Sequence, residues 1–130
     1  MNQAEQAQKA ERFRTMHGAP PLLVLPNAWD AISARIVVAA GFQAIATTSG
    51  GVAWALGYAD GEAAPWQEVV AATARIARAV AVPVTADIES GYGDTPEAVA
   101  RSIGDIIAAG AVGVNLEDGL KTGSPPIRSL

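Results

Sequence analysis

The ten residues from Thr85 to Asp94, Thr-Ala-Asp-Ile-Glu-Ser-Gly-Tyr-Gly-Asp, hold the side chains of this chain best suited to chemistry. Asp87 and Glu89 stand two residues apart at the end of an apolar run that begins at Val82, and Gly91 and Gly93 open the loop behind them. An acid pair at a strand end, opened by glycines, suits a hard divalent cation with oxygen ligands, Mg2+ or Mn2+. More acids occupy equivalent places: Asp60 in the loop that follows Gln43–Thr48, and Glu117 with Asp118 directly after Ala111–Leu116. Ser49, Gly50 and Gly51 follow the same run as Asp60. The amides of Gly50 and Gly51 are candidates to hold a substrate carboxylate, because glycine lets an anion come close to the backbone. Taken singly, each acid reads equally well as a helix N-cap or a solvated loop residue. The set gains meaning only if the fold gathers it on one rim, where several carboxylates are costly without a cation to neutralise them. His17, the only histidine, lies before the first apolar run and reads as a solvated loop residue.

The elements that must position these groups follow from the spacing of apolar residues. Asn2 to Met16 is rich in Ala, Gln, Glu and Arg and reads as a helix with a weak apolar stripe. Leu22–Leu25, between prolines, reads as a short buried strand, with Asn27–Asp30 as the loop and helix entry behind it. Ile32, Ile36, Val37 and Ala40 recur at helical spacing, and Gly41 stands where a C-terminal glycine belongs. Gln43–Thr48 is a second strand, broken at Ser49–Gly51, with a short helix over Val52–Leu56. Trp66–Val80 is a helix entered at Pro65. Pro83–Asp87 is the third strand, and Thr95-Pro96-Glu97 opens the next helix with a hydroxyl cap, a proline and an acid. Ala111–Leu116 is the fourth strand.

One helix, then βα three times, then β, with strands that are continuous apolar runs, predicts a parallel sheet covered by helices. In such a sheet the carboxyl ends of all strands lie on one side, so Ser49, Asp60, Asp87, Glu89, Glu117 and Asp118 would share a rim. The expected organisation is a single domain: a helix over 1–18, βα units over 19–119 and an irregular tail over 120–130.

The chain has 130 residues, of which 50% are hydrophobic and 17% charged, enough to bury a core. A net charge of −4 argues against nucleic acid or an anionic membrane surface as the main partner. With no cysteine, disulfides, thiol nucleophiles and zinc-thiolate sites are excluded. Residues 1–18 carry no apolar core of a signal peptide, and no apolar run approaches the ~20 residues of a membrane span. A cytoplasmic protein is the expectation.

The segment Ala86-Asp87-Ile88-Glu89-Ser90-Gly91-Tyr92-Gly93 resembles the Asp-x-Asp-x-Gly-Tyr-Gly metal loop of the isocitrate lyase/phosphoenolpyruvate mutase superfamily. Pro26–Asp30, Thr48–Gly51, Leu56–Asp60 and Asn115–Asp118 are similar to further motifs of that family, so the resemblance runs from about Leu22 to Asp118. It implies α/β architecture of the (β/α)8 TIM-barrel kind, here four parallel strands with outer helices plus an N-terminal helix, the first half of such a barrel. It implies a Mg2+-dependent lyase, mutase or hydrolase that works on the C–C or P–C bond of a small 2-oxo acid, its enolate or a phosphonate. By position, Asp87 would bind the metal; Asp60, Glu89 and Glu117 would bind it through water; Ser49, Gly50, Gly51 and Asp87 would bind substrate. Glu89 departs from the family's Asp, lengthening the arm and keeping the charge. Gly119-Leu120-Lys121-Thr122-Gly123 departs from the lyase branch's gating loop, with Lys121 as a candidate catalytic residue and no cysteine. The family barrel needs roughly twice this length. The alternative is therefore an inactive truncated chain, or a half-barrel that functions by pairing, with a homo-oligomer expected because open strand edges recruit partners.

Overall fold

The computed structural model describes residues 2–18, 20–119 and 127. Helix α1 spans Gln3–Gly18. Strand β1 (Asn27–Ala28) leads into helix α2 (Ala31–Ala39), and β2 (Ile45–Thr47) into the short helix α3 (Ser49–Leu56) and then α4 (Trp66–Ala79). Strand β3 (Val84–Asp87), helix α5 (Pro96–Ala108) and β4 (Gly113–Asn115) complete the order. All three pairings are parallel and the strand order is β1-β2-β3-β4. Consecutive order with right-handed crossovers puts every crossover helix on the same face, the winding of a barrel wall. A doubly wound sheet would reverse its order at a switch point, and this one does not.

The helix ends are written locally. Asp30 caps α2 in a reciprocal box: its carboxylate accepts from the Ser33 N–H at 2.7 Å, and the Ser33 hydroxyl accepts from the Asp30 N–H at 3.0 Å. Thr95 accepts from the Ala98 N–H, and Pro96 takes the first turn of α5. The main core lies between the sheet and helices α2 and α4, around Ala28, Ile45, Val52, Ile76 and Val84. A second cluster under α5 holds Ala86, Ile88, Ile106 and Ala111. The small residues let the helices sit close to the sheet.

The first strand differs from expectation. Leu22–Leu25 is not paired as strand, and Leu22 is 88% exposed. Pairing begins at Pro26, whose carbonyl accepts from the Ala46 N–H at 3.0 Å, and continues through Asn27 and Ala28. The reason lies in the neighbour: β2 runs only from Ile45 to Thr47, so it offers partners to residues 26–28 and none further back. Ser49–Gly51 ends the second strand as expected, but the short helix expected over Val52–Leu56 already begins at Ser49, with Thr48 as the cap. The expected tail over 120–130 lies outside the described residues except Ile127, which forms an isolated antiparallel bridge with Gly119.

Helix α1 covers the amino ends of the strands. The Gln6 side-chain amide donates to the carbonyls of Ile107 and Ala111, and the Lys9 ammonium donates to the Val80 carbonyl. Phe13 is its one buried residue. A Cβ on Gly113 would stand 2.9 Å from the Phe13 ring and 2.9 Å from Thr85 Oγ1, so glycine there lets the ring seat against β4. Among the described residues no helix is long and apolar enough to cross a membrane.

Candidate metal and substrate site

Residues two apart on a strand share a face, so Thr85, near the Phe13 contact, and Asp87 project from the same side of β3. Asp87 is the hub of the opposite rim. Its Oδ2 accepts from the Ser49 N–H at 3.0 Å and from the Ser49 hydroxyl at 2.8 Å. Its Oδ1 accepts from the Glu89 N–H at 3.2 Å. Its own N–H donates to Thr47 Oγ1 at 2.9 Å. The carboxylate is thereby fixed between the ends of β2 and β3 at the positive end of α3. Because Oδ1 carries one of the two bonds a carboxylate oxygen accepts, it retains a lone pair for a further ligand.

Asp60 lies beside the same helix start. A Cβ on Gly50 would meet the Asp60 carboxylate at 3.3 Å, so the missing side chain is what lets this acid approach the backbone. Gly51 has a different reason. A Cβ there would fall 2.6 Å from the Thr48 methyl and 3.1 Å from Trp29 Cβ, so Gly51 is needed for α3 to pack on the chain ahead of α2. Its N–H donates to Thr48 Oγ1 across a long 3.5 Å.

Glu89 is buried, and Glu62, in the loop before α4, is joined to it. Glu89 Oε1 accepts from the Glu62 N–H at 2.8 Å. In return Glu62 Oε1 accepts from the Ser90 N–H at 3.1 Å, the Ser90 hydroxyl and the Tyr92 N–H at 3.1 Å. Glu62, Glu89 and Tyr92 are the non-glycine residues of positive φ among those described, at +58°, +52° and +51°. Each such residue costs on the order of 1–3 kcal/mol and persists only where its surroundings impose it. Here the surroundings are the crossed hydrogen bonds between the two loops. Sequence reasoning missed Glu62. Its signal, an acid two places after Asp60 in a glycine loop, is shared by any solvated turn.

The ring of Tyr92 rests on Trp66 with centroids 4.8 Å apart. Its phenol is pushed well above its ordinary value, first by burial and then by the charges of Glu89, Glu62, Asp60 and Asp87. Four acids therefore act on one point. Among the described residues no Lys, Arg or His lies within 4 Å of the carboxylates of Asp60, Glu62 or Asp87. Nor, among the described residues, do three carboxylates or imidazoles form a ready-made cation cage. Glu117 and Asp118 are exposed, and Glu117 is tied to the rim by its N–H, which donates to the Glu89 carbonyl at 2.7 Å. The structure thus joins Ser49 to Asp87, sets Asp60 over Gly50, and leaves Glu117 and Asp118 at the solvent edge. Lys121 lies outside the described residues.

The family model described as phosphoenolpyruvate phosphomutase matches residues 13–129. The crystal structure of a Burkholderia cenocepacia protein thought to be a lyase or mutase is similar at a TM-score of 0.89 and 40% identity, over 97% of this chain and 45% of that one. The phosphoenolpyruvate phosphomutase of Streptomyces hygroscopicus is 34% identical over 128 residues, 91% of this chain and 41% of its own length. An oxaloacetate acetylhydrolase solved with its product oxalate is similar at a TM-score of 0.77 and 31% identity, over 86% of this chain and 40% of that one. The chain spans less than half the length of each of these relatives.

Proposed function

Because the chain belongs to the phosphoenolpyruvate phosphomutase family, with the parallel sheet of its TIM-barrel relatives, we propose that it carries the metal and carboxylate half of a Mg2+-dependent active site for a small 2-oxo acid or its enolate. The observation that carries this reading is the fixed Asp87 carboxylate, held from three donors at the end of β3 with a lone pair to spare. The residues fit the ion. All the candidate donors are oxygens and the rim is acidic, the donor chemistry that a hard divalent cation takes. Asp87 is the direct ligand, with Asp60, Glu89 and Glu117 reaching the ion through water; Mn2+ would suit the same donors. When bound, the cation supplies charge stabilisation to an oxygen that becomes enolate-like as a C–C or P–C bond changes. The chain's own residues do the positioning. Ser49 locks the Asp87 carboxylate, and the Gly50 N–H and the dipole of α3 are presented to a substrate carboxylate, with the Gly51 N–H available only by leaving its long bond to Thr48 Oγ1. Lys121 is the candidate for proton transfer.

Calorimetry of the purified chain with Mg2+, alone and with oxalate as a dicarboxylate probe, tests the site. Turnover of phosphonopyruvate and of oxaloacetate, measured beside a full-length relative, tests the chemistry. Saturable Mg2+ binding that strengthens with oxalate is expected, and no heat for either would sink the reading.

A second reading rests on the ends of the sheet. Leu22 and Val24 before β1 are 88% and 55% exposed, and Leu116 after β4 is 50% exposed. Open edges and apolar surface recruit partners. On this reading the chain has no activity alone, and a second copy pairs with it to restore a ring of eight strands. Light scattering during size exclusion decides it: a dimer supports the pairing, and a monodisperse monomer that unfolds independently of concentration removes it.

A further inference from the structure

One carboxylate oxygen on the rim accepts three hydrogen bonds, and it belongs to Glu62, a residue outside the ligand set proposed above. Oε1 of Glu62 gathers the N–H of Ser90, the hydroxyl of Ser90 and the N–H of Tyr92, while the Glu62 N–H reaches back to Oε1 of Glu89. The two loops so joined are 27 to 30 residues apart in sequence. One carries Asp60 and the other carries Asp87 and Glu89, so the distance between the candidate ligands depends on how these loops are held together. The backbone agrees: positive φ occurs at both ends of this lattice, at Glu62 on one loop and at Glu89 and Tyr92 on the other. Glycine at 61 and at 91, at +102° and +92°, supplies the turns on either side.

We infer that Glu62 is a positioning residue, a latch that holds the Asp60 loop against the Asp87–Tyr92 loop and so sets the spacing of the cation's ligands. The inference deepens the metal-site reading and rests on it for its purpose, although the latch itself is readable without metal. The arrangement is reciprocal, since each glutamate side chain binds the other's loop. Either loop moving alone breaks hydrogen bonds on both. Glu62 acts through Glu89, Ser90 and Tyr92, the partners of its hydrogen bonds.

The test uses the 130-residue chain with Glu62→Ala, Glu62→Gln and, as a control, Tyr58→Phe, which removes the bond from the Tyr58 hydroxyl, in the same loop, to Glu68 in the first turn of α4. Amide hydrogen exchange at Ser90 and Tyr92 reads the latch without metal, and Mg2+ calorimetry reads its purpose. In Glu62→Ala these two amides should exchange about tenfold faster, as loss of a charge-assisted hydrogen bond implies. Mg2+ affinity should fall 10–100-fold, roughly the cost of removing a residue that orients a metal ligand. Glu62→Gln, which keeps an acceptor oxygen, should recover most of both, and Tyr58→Phe should leave both unchanged. Amides of β3 and α4 that stay protected in Glu62→Ala show that the fold is intact; if they do not, the Glu62→Gln and Tyr58→Phe pair decides. Unchanged exchange at Ser90 and Tyr92 overturns the latch. Faster exchange with unchanged Mg2+ affinity overturns its positioning role. If the parent chain binds no Mg2+, the metal reading falls, and the latch stands or falls on the two amides alone.

Discussion

The two ends of the sheet are built on opposite principles. At the amino end, α1 lies across the strands with one buried aromatic ring, and neutral or single-charge side chains satisfy carbonyls at Val80, Ile107 and Ala111. Gly113 gives up its side chain so that Phe13 can seat. At the carboxyl end, Asp60, Glu62, Asp87 and Glu89 gather around Tyr92, three residues take left-handed backbone, and burial, followed by the surrounding charge, raises the phenol above its ordinary value. One end is built from apolar packing and side-chain bonds to carbonyls, and the other collects carboxylates held by hydrogen bonds between loops. Glycine serves both, for packing at Gly113 and for the approach of a carboxylate at Gly50. In this architecture function sits at the carboxyl ends of strands and stability at the amino ends, and the division here follows from which end collects like charge.

This contrast breaks if a change at one end behaves like a change at the other. Phe13→Ala should have the largest effect, about 3 kcal/mol of stability for an emptied aromatic site, read by urea unfolding. Its Mg2+ affinity should equal that of the parent chain; a parallel loss would join the two ends energetically. Asp87→Ala should do the reverse, lowering Mg2+ affinity by about 100-fold, at the top of the range for disturbing a metal site. Calorimetry with equal affinity in parent and variant would remove Asp87 as the ligand. Glu89→Asp should lower Mg2+ affinity less than Asp87→Ala in the same measurement, since charge is kept while the shorter arm loosens its bond to the Glu62 N–H.

Alkaline pH sharpens the comparison. The Tyr92 phenol is raised by burial and by four carboxylates, so above pH ~10, the ordinary value, the unfolded chain loses a proton that the folded chain keeps. Fewer protons on the unfolded state means that stability falls as pH rises through that window. Urea midpoints from pH 9 to 11 should decline more steeply in the parent than in Tyr92→Phe, and equal slopes would contradict it. The smallest effect belongs to Asp30, away from both ends. Asp30→Ala should cost about 1 kcal/mol through the α2 cap. The Ser33 N–H holds the Asp30 carboxyl below its usual range, so this contribution is present above pH ~4 and is lost as pH falls through the lowered value.

How much of this was legible in the residues follows the same division. Apolar runs located β2, β3 and β4, and the Thr95-Pro96-Glu97 signature located the start of α5. The rim was legible as a set because Asp60, Asp87, Glu89 and Glu117 all follow strands. Leu22–Leu25 misled because an apolar run between prolines states burial preference but not which residues the neighbouring strand can reach. Ser49-Gly50-Gly51 reads as a break by propensity, yet the Thr48 cap and the Asp87 carboxylate together pull it into a helix start. Glu62 was invisible for a stronger reason. Its role depends on left-handed backbone at three non-glycine residues and on hydrogen bonds between distant loops, which no local pattern encodes.

The Gln6 side chain, which reaches the carbonyls of Ile107 and Ala111, sets a schedule for synthesis. Its partners are 101 and 105 residues further along the chain. At roughly 5–20 residues per second, Gln6 is synthesised about 5–20 seconds before the two carbonyls that it binds. During that interval Phe13, the one buried residue of α1, has no β4 to seat against. Helix α1, made before the strands it docks on, is therefore fixed late, and the closing of the amino end reports that the fourth strand has arrived.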